Sequence, residues 1–386
     1  MSRDRLRLWS HSIGAKPIVR KIISQYYYRM DQDVNESSST VSGATPGFHS
    51  LGEPFSTVEA SIRDVTSGLN NWLAVVNDPP WTLLSAELGS PDAVINAWDM
   101  DLAHLESLVW QVPYSTDTVV GIGGGTAMDT AKYLAWKCDR RLIQIPSIAS
   151  VDAGFTDAVG VRINKQVKYI GSIRPEQVII DLELMRSAPV HLNRAGIGDV
   201  LSCHTGLEDW RISCEAGQGF AWDEPAAALG RQLLDELEAA APDICAASDD
   251  GLRMLTSAYN RVGAAGTAVG HARFEEGSEH FFAYAYESNT GAHPIHGEMI
   301  SLATLAMATI QGHDPERVRR IIELAQVRAH PDDINIGRDD FYSTLRGLRE
   351  FCASSDLWWC IVNERSITEQ DIDLAWAAVS DLGQRS

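Results

Sequence analysis

The segment DTVVGIGGGTAMDTAKYLAWKC (117–138) constrains the fold more than any other part of this chain. It combines a short apolar run, a glycine-rich turn and a stretch with helical composition. Further runs of strand length lie on both sides of it: WLAVVND (72–78), DAVINAW (92–98), RLIQIPS (141–147), QVKYIGS (166–172) and EQVIIDLELM (176–185). Strands that alternate with helices across short turns predict a parallel, doubly wound sheet.

The pattern changes after about residue 190, where apolar residues recur at spacings of three and four, as in helices. The segments concerned are AAALGRQLLDELEAAAPDI, LRMLTSAYNRVGAAGTAVGHA, HGEMISLATLAMATIQG, PERVRRIIELAQV and DIDLAWAAVSDL. We therefore predict a Rossmann-like α/β domain (48–190), followed by an all-α helical domain (191–386). Residues 1–47 are predicted to be a basic arm and a linker.

The basic arm comprises residues 1–30, which contain seven Lys or Arg residues and one acidic residue. It fits a surface helix or an oligomerisation arm that balances an acidic body, and a targeting or nucleic-acid-binding arm is the alternative. The polar segment NESSSTVSGATPG (35–47) has the composition of a linker or a loop.

Composition excludes several classes of protein. The formal net charge of −20 disfavours binding to nucleic acid and to anionic membranes. The sequence shows neither an apolar run of about 20 residues nor a signal-peptide pattern. Six cysteines without a CxxC pair favour free thiols in a reducing compartment. We therefore expect a cytoplasmic protein that binds neither nucleic acid nor membrane.

The glycines at 121 and 123–125 separate a strand from a helix. Glycine lets the backbone turn with positive φ and lets a phosphate come close, and the next helix offers free N–H groups at its N-terminus. The turn thus suits a pyrophosphate, although tight packing alone would also explain it. It lacks the Gly-Lys-Ser/Thr of a Walker loop and the spacing of GxGxxG.

The turn continues as Gly-Gly-Gly-x-x-x-Asp-x-x-Lys, which resembles the dinucleotide motif of the iron-containing alcohol dehydrogenase superfamily. That superfamily includes glycerol dehydrogenase, glycerol-1-phosphate dehydrogenase and dehydroquinate synthase. Three later segments follow in the family's order: AGIGDVLS, EEGSEHFFAYAYE (275–287) and HPIHGEMISLA (293–303). The match runs from about 117 to 303, and WWCIVNERSITEQDIDLAW (358–376) resembles the family's closing strand-like segment and helix. The glycerol-1-phosphate dehydrogenase-like branch is the most similar.

The resemblance implies that one divalent metal ion is bound by Asp199, His280 and His296. Three protein ligands leave a coordination position open, as a catalytic metal requires. Mixed oxygen and nitrogen ligation suits Zn²⁺, Fe²⁺ and Ni²⁺ alike. The resemblance to glycerol-type members of the family favours Zn²⁺, with Fe²⁺ or Ni²⁺ as alternatives. Taken singly, Asp199 could instead be a helix cap, His280 a packed histidine and His296 the first residue of a helix. His271, His293 and His204 compete with them but match no ligand position of the family.

The resemblance also implies a cofactor site for NAD(H), with NADP(H) as the alternative. Asp78 follows a strand and could bind the adenosine ribose, which favours NAD. The other predicted cofactor residues belong to the glycine turn, to its helix and to the end of the next strand: Gly123, Gly124, Gly125, Asp129, Lys132 and Ser147.

Four residues are predicted around the substrate. Asp152, in IPSIASVDAGFTD (145–157), resembles the family's substrate-side aspartate, although it could simply cap a turn. Tyr284 stands where the family often has a second histidine, and its hydroxyl is expected to donate a hydrogen bond. Arg273 matches an arginine of the phosphate-handling branches, but the acidic pair Glu275–Glu276 beside it argues against phosphate. His204 is placed on the lining of the cleft.

The leading hypothesis is a metal-dependent, NAD(P)-linked alcohol dehydrogenase. It would transfer hydride between nicotinamide and a small metal-bound alcohol or carbonyl compound, such as a polyol, a hydroxyketone or a phosphorylated analogue. The alternative is a dehydroquinate-synthase-like lyase or cyclase that uses NAD catalytically, and a non-catalytic scaffold is the third reading. The family implies a homodimer or a larger homo-oligomer.

Overall fold

The structure is a computed structural model, and it describes residues 51–384. The basic arm and the linker predicted at 1–47 lie outside the described residues. The described part of the chain belongs to one compact unit. Its strands all lie before residue 181, and long helices make up the remainder. The predicted division into two domains at residue 190 remains a prediction.

Six parallel strands form the main sheet, in the order β1-β8-β5-β4-β2-β3. Two more strands, β6 and β7, form a separate antiparallel hairpin. The bounds are β1 Thr57–Glu59, β2 Trp72–Val76, β3 Ala93–Asn96, β4 Thr118–Gly123, β5 Arg141–Pro146, β6 Ala158–Ile163, β7 Gln166–Ser172 and β8 Gln177–Ile180.

Four helices of the first half run between strands of the main sheet, and two follow its last strand. They are α1 Ile62–Ser67, α2 Pro80–Leu84, α3 Leu102–Leu108, α4 Gly125–Cys138, α5 Leu182–Ser187 and α6 Val190–Arg194. Successive side chains of β2 point to opposite faces of the sheet and enter separate apolar clusters, with Leu73 and Val75 on one face and Trp72 and Ala74 on the other. Both faces are therefore covered, as the doubly wound prediction requires.

Ten helices follow in the described part of the second half, and they share one large apolar core. They are α7 Ile197–Leu201, α8 Cys203–Glu215, α9 Glu224–Cys245, α10 Asp249–Val269, α11 Ser278–Thr290, α12 His296–Gln311, α13 Pro315–Ala325, α14 Arg338–Ser355, α15 Ile361–Glu364 and α16 Glu369–Ser380. Helix α12 is buried along almost its whole length and packs against α7, α11 and α16. It is the central helix of this half.

Three details differ from the sequence-based expectations. QVKYIGS is not part of the parallel sheet but is one strand of the hairpin, because its side chains are mostly half-exposed rather than buried on both faces. EQVIIDLELM is a strand only to Ile180, since Asp181 caps helix α5 through a 3.0 Å hydrogen bond from the Leu184 amide. The strand-like segment expected near 360 is the short helix α15.

Candidate metal and cofactor site

Three side chains from three helices converge in the second half of the chain. Asp199 is the third residue of α7, His280 is the third residue of α11, and His296 begins α12. One possible ligand atom from each lies within 4.8 Å of the others. The Oδ1 atom of Asp199 is 3.1 Å from Nε2 of His296. These atoms are close enough to share one cation.

The donor set fits a divalent metal ion. The Asp199 side chain is buried, and among the described residues its Oδ1 atom has no partner other than the His296 imidazole. A buried carboxylate oxygen without a donor is costly unless a cation or a proton satisfies it. Two imidazoles and one carboxylate supply nitrogen and oxygen ligands of the type that Zn²⁺ and Fe²⁺ accept.

Glu279 orients the His280 ring through a contact with its Nδ1 atom. Its Oε1 atom lies 2.9 Å from Nδ1 of His280, which leaves Nε2 of the imidazole facing the triad. The carboxylate is fully buried and also accepts hydrogen bonds from Thr205 Oγ1 at 2.6 Å and from the Gly277 amide at 2.6 Å. A carboxylate behind a histidine ligand fixes its tautomer and ring orientation. The sequence motif contains Glu279, but nothing in the sequence predicts this role.

The charges around the triad change the pKa of His280. Burial opposes a proton on His280, but the carboxylates of Glu279, Glu276 and Asp199 prevail and raise its pKa to about 9. A divalent cation would displace that proton and take over the role of positive partner. The environment thus favours a positive charge at this point.

Asp152 lies directly beside Asp199. Its backbone N–H donates a 2.9 Å hydrogen bond to Oδ2 of Asp199. Burial raises the pKa of the Asp152 carboxyl, and the Asp199 charge raises it further. Burial also acts to raise the pKa of Asp199, yet the neighbouring His296 holds it below its usual value. Asp152 is therefore the carboxyl that more readily holds a proton.

Close backbone contacts hold helix α12 against the Asp152 loop. A Cβ atom added to Gly297 would lie 1.9 Å from the Ala195 carbonyl oxygen and 3.0 Å from that of Ser150. The hydroxyl of Tyr259 lies 2.7 Å from the carbonyl oxygen of Ala149 and 2.6 Å from that of Gly196. The loop from β5 and the start of α7 are thereby held together.

Tyr284 follows His280 by one helical turn, and their ring centroids are 6.1 Å apart. Its hydroxyl donates a 2.7 Å hydrogen bond to Oε1 of Glu276. Burial and the Glu276 charge raise the pKa of Tyr284 well above its usual range. The phenol therefore keeps its proton at neutral pH and acts as a donor.

The glycine turn lies at the carboxyl end of β4, between β2 and β5. Gly123 has a φ of 153°, and the Gly124 amide donates a 3.1 Å hydrogen bond to Oδ1 of Asn77. A Cβ atom on Gly125 would lie 3.0 Å from Val151 Cγ1. No side chain caps the start of α4, so its first N–H groups are available to an anion. The turn fits the pyrophosphate of a dinucleotide.

The other predicted cofactor residues surround this turn or support its helix. Ser147 directly follows β5, and its amide donates a 2.9 Å hydrogen bond to the Gly123 carbonyl. Asp78 follows β2 and accepts a 2.6 Å hydrogen bond from the Thr82 hydroxyl. Asp129 pairs with Lys132 at 2.7 Å. Lys132 is buried, and its Nζ atom also donates to the Ala158 carbonyl at 2.8 Å, so it ties α4 to the hairpin.

Two predicted substrate residues are not brought to the triad as free side chains. Arg273 is 1% exposed, and its guanidinium donates to the carbonyl oxygens of Glu276 at 3.3 Å and Trp359 at 2.8 Å. His204 lies 2.7 Å from the His313 carbonyl, just beyond the last residue of α12, whereas His296 begins that helix. The two ends of α12 are separated by sixteen residues, and each residue adds about 1.5 Å along the helix axis.

The comparisons with known proteins agree with the fold and the motifs. A family model described as iron-containing alcohol dehydrogenase matches residues 84–189. Over 264 residues the chain is 31% identical to the NAD(P)+ glycerol-1-phosphate dehydrogenase of Hyperthermus butylicus, covering 66% of this chain and 75% of the relative. The chain belongs to the iron-containing alcohol dehydrogenase superfamily. Within this superfamily it falls in the glycerol-1-phosphate dehydrogenase branch, a group of NAD(P)-linked oxidoreductases.

Two further proteins resemble this chain, one in sequence and one in structure. The glycerol-1-phosphate dehydrogenase of Sulfolobus acidocaldarius is 35% identical over 209 residues, which are 53% of this chain and 58% of that protein. A probable glycerol dehydrogenase from Sinorhizobium meliloti superposes with a TM-score of 0.66 at 20% identity, covering 85% of this chain and 96% of the other. The latter likeness supports the superfamily fold. Within residues 51–384, no helix is both long and apolar enough to cross a membrane.

Proposed function

We propose that this protein is a divalent-metal-dependent, NAD(P)-linked oxidoreductase that interconverts a hydroxyl and a carbonyl group on a small polyol-like molecule. The convergence of Asp199, His280 and His296, with ligand atoms within 4.8 Å, carries this proposal. The cofactor turn is physically linked to that triad. Gly125 packs against Val151, the next residue is Asp152, and the Asp152 amide bonds Asp199.

In this proposal, Asp199, His280 and His296 hold the metal ion, and Glu279 fixes the His280 ring. A bound divalent cation supplies Lewis-acid chemistry to an alcohol or carbonyl oxygen. We propose Zn²⁺ as that ion, because the set of one carboxylate and two imidazoles leaves a tetrahedral position for a ligand oxygen. Fe²⁺ and Ni²⁺ are the alternatives to be tested by metal analysis.

The remaining residues would bind and orient the reactants. The turn at Gly123–Gly125 and the start of α4 would hold the pyrophosphate, while Asp78 at the end of β2 would bind the ribose hydroxyls of NAD. Asp152 would accept a hydrogen bond from a substrate hydroxyl. Tyr284 would donate from its protonated phenol rather than act as a base, since its pKa is raised.

Three further features of the proposal concern the whole molecule. We propose that the enzyme works in a reducing cytoplasm, which its six free cysteines support.

We propose a homo-oligomer, supported by strongly exposed aromatic side chains, Trp98 at 70%, Trp110 at 89% and Tyr114 at 98%. Light scattering of the purified chain would measure the assembly. The division into domains at residue 190 would be tested by expressing 191–386 alone.

The decisive experiment follows nicotinamide absorbance in zinc-loaded protein supplied with NAD⁺ or NADP⁺ and a panel of polyols. A dehydrogenase releases one NADH or NADPH for each carbonyl product. A lyase or cyclase of the dehydroquinate synthase type would convert its substrate without net release of reduced nicotinamide. Product formed without that release would overturn the proposed oxidoreductase.

A further inference from the structure

Beside the metal triad, the cleft has an acidic and aromatic wall formed by Glu275, Glu276, Tyr284 and Tyr169. Glu275 and Glu276 belong to the loop that leads into α11, Tyr284 is on α11, and Tyr169 comes from the hairpin strand β7. Tyr284 connects the group, because its hydroxyl donates to Glu276 at 2.7 Å and also interacts with the Tyr169 hydroxyl. Three separate elements thus meet at one place.

The wall is open to solvent at Tyr169. The Tyr169 side chain is 58% exposed, yet the Glu276 charge raises its hydroxyl pKa well above the usual range, with smaller effects of Asp129 and Asp152. Tyr284 connects Glu276 to the triad, because its ring centroid lies 6.1 Å from that of His280.

Glu275 is the carboxylate of this wall that lacks a partner. Its Oε2 atom is enclosed and accepts no hydrogen bond. A buried carboxylate oxygen without a donor is costly, so a cationic group that reaches this side chain would stabilise it.

The basic side chains that the sequence offers to this region are already used. Lys132 is paired with Asp129 and bonded to the Ala158 carbonyl. Arg273 is buried and donates to the carbonyls of Glu276 and Trp359. Arg162 pairs with Glu287 at 2.8 Å. None of these three side chains is free to neutralise a phosphate in the pocket.

We propose that the substrate pocket takes an alcohol carrying a cationic amino group, held between the carboxylates of Glu275 and Glu276 and the rings of Tyr169 and Tyr284, rather than a phosphate ester. Carboxylates supply charge-assisted acceptors for an ammonium group, and aromatic faces attract it electrostatically. The net charge of −20 adds a long-range attraction for cations. A phosphate dianion would instead face several carboxylates without a compensating free base.

This inference rests on the proposed function. In the reaction, the hydroxyl-bearing carbon gives a hydride to NAD(P)⁺, and the hydroxyl proton is released to solvent. The products are an amino ketone or amino aldehyde and NAD(P)H, so that atoms and electrons balance. The ammonium group takes no part in the redox step and acts only in recognition.

The test compares three probes of similar size: 3-amino-1,2-propanediol, glycerol and glycerol 1-phosphate. With the zinc-loaded enzyme, kcat/KM for the amino alcohol should exceed that for glycerol and for glycerol 1-phosphate by at least tenfold. In Glu275→Gln and Glu276→Gln, the ratio of kcat/KM for the amino alcohol to that for glycerol should fall at least tenfold. Glu350→Gln, at an exposed glutamate of α14, serves as the matched control and should leave the ratio unchanged.

Equal or better use of glycerol 1-phosphate by the wild type would overturn the inference. So would a second equivalent of zinc per chain that disappears in Glu276→Gln, because the wall would then hold a metal ion instead. If no probe is oxidised, the proposed oxidoreductase activity on small polyols fails. In that case calorimetry of the same three probes still reports the charge preference, and tighter binding of the phosphate would overturn it independently.

Discussion

The backbones of Gly198 and Gly297 are in direct contact. A Cβ atom placed on Gly198 would lie 2.6 Å from the carbonyl oxygen of Gly297 and 2.7 Å from its Cα atom. Each glycine adjoins a member of the triad, Asp199 on α7 and His296 on α12. The absence of two side chains therefore allows the two helices to approach until a carboxylate oxygen and an imidazole nitrogen are 3.1 Å apart.

Gly198→Ala should separate α7 from α12. We expect a loss of about 1–3 kcal/mol in the free energy of unfolding, as for overpacked sites, together with weaker zinc binding. Denaturant unfolding and zinc titration measure the two effects. Gly347→Ala is the matched control, because this helical glycine of α14 has no atom within 4 Å of an added Cβ. It should gain about 0.5–1 kcal/mol, and a similar gain for Gly198→Ala would contradict the packing argument.

Asn77→Ala should weaken cofactor binding. The Asn77 side chain accepts from the Gly124 amide at 3.1 Å and donates to the Ala97 carbonyl, so it holds the glycine turn against β3. Loss of this support should raise the Kd for NAD⁺ about tenfold, which corresponds to about 1.4 kcal/mol. Quenching of protein fluorescence measures the Kd. Asn289→Ala, at an exposed position of α11, should leave it unchanged.

Tyr259→Phe should destabilise the junction between the β5 loop and α7. The variant loses a hydroxyl that lies within hydrogen-bond distance of two buried carbonyl oxygens. A buried acceptor left without a donor costs about 1–3 kcal/mol. Denaturant unfolding should show this loss, whereas Tyr114→Phe should show none, since Tyr114 is 98% exposed. Equal stability of the two variants would mean that the hydroxyl does not support the site.

Asp209 should make stability depend on pH. Burial raises the pKa of this fully buried carboxyl to about 6, and the Glu279 charge acts in the same direction. The folded state therefore binds the Asp209 proton more tightly than the unfolded state does. The stabilisation that Asp209 provides is complete below a pH of about 3.9 and is lost as the pH rises through about 6. The free energy of unfolding then changes by about 3 kcal/mol.

The Asp209→Asn variant isolates this contribution. The free energy of unfolding is measured at pH 4 and at pH 7 for both proteins. The wild type should lose more stability over this range than the variant does, because the other titrating groups are common to both. Parallel pH profiles would show that Asp209 titrates near its usual value in the folded protein.

The triad and the cofactor turn could be proposed from sequence because each relies on short-range signals. Each of Asp199, His280 and His296 stands in a short motif that contains a glycine within three residues, and the glycine turn separates an apolar strand from a helix. The environments of Arg273 and His204 could not be obtained in this way. The burial of Arg273 depends on the carbonyl of Trp359, 86 residues away. His204 is separated from Asp199 by the break between α7 and α8 at Ser202, so one helical face does not hold both.

Other parts of the fold lacked a local signal. Strand β1 has three exposed residues and no apolar pattern, and it was missed. The hairpin strand β7 was assigned to the main sheet although its side chains are partly exposed, a pattern more typical of antiparallel pairs. The contact of Tyr284 with Glu276 joins two residues that the sequence marked only as separate departures from the family pattern.

The most direct test of the account is the zinc content of Asp199→Ala and His280→Ala relative to wild type and to His293→Ala. His293 lies three residues before His296 and is 58% exposed, so it provides a matched histidine outside the triad. All four proteins are loaded with zinc, dialysed and analysed for bound metal, with circular dichroism as a check on folding. We expect about one zinc per chain in the wild type and in His293→Ala, and almost none in the two triad variants. Full zinc content in folded Asp199→Ala or His280→Ala would contradict this expectation.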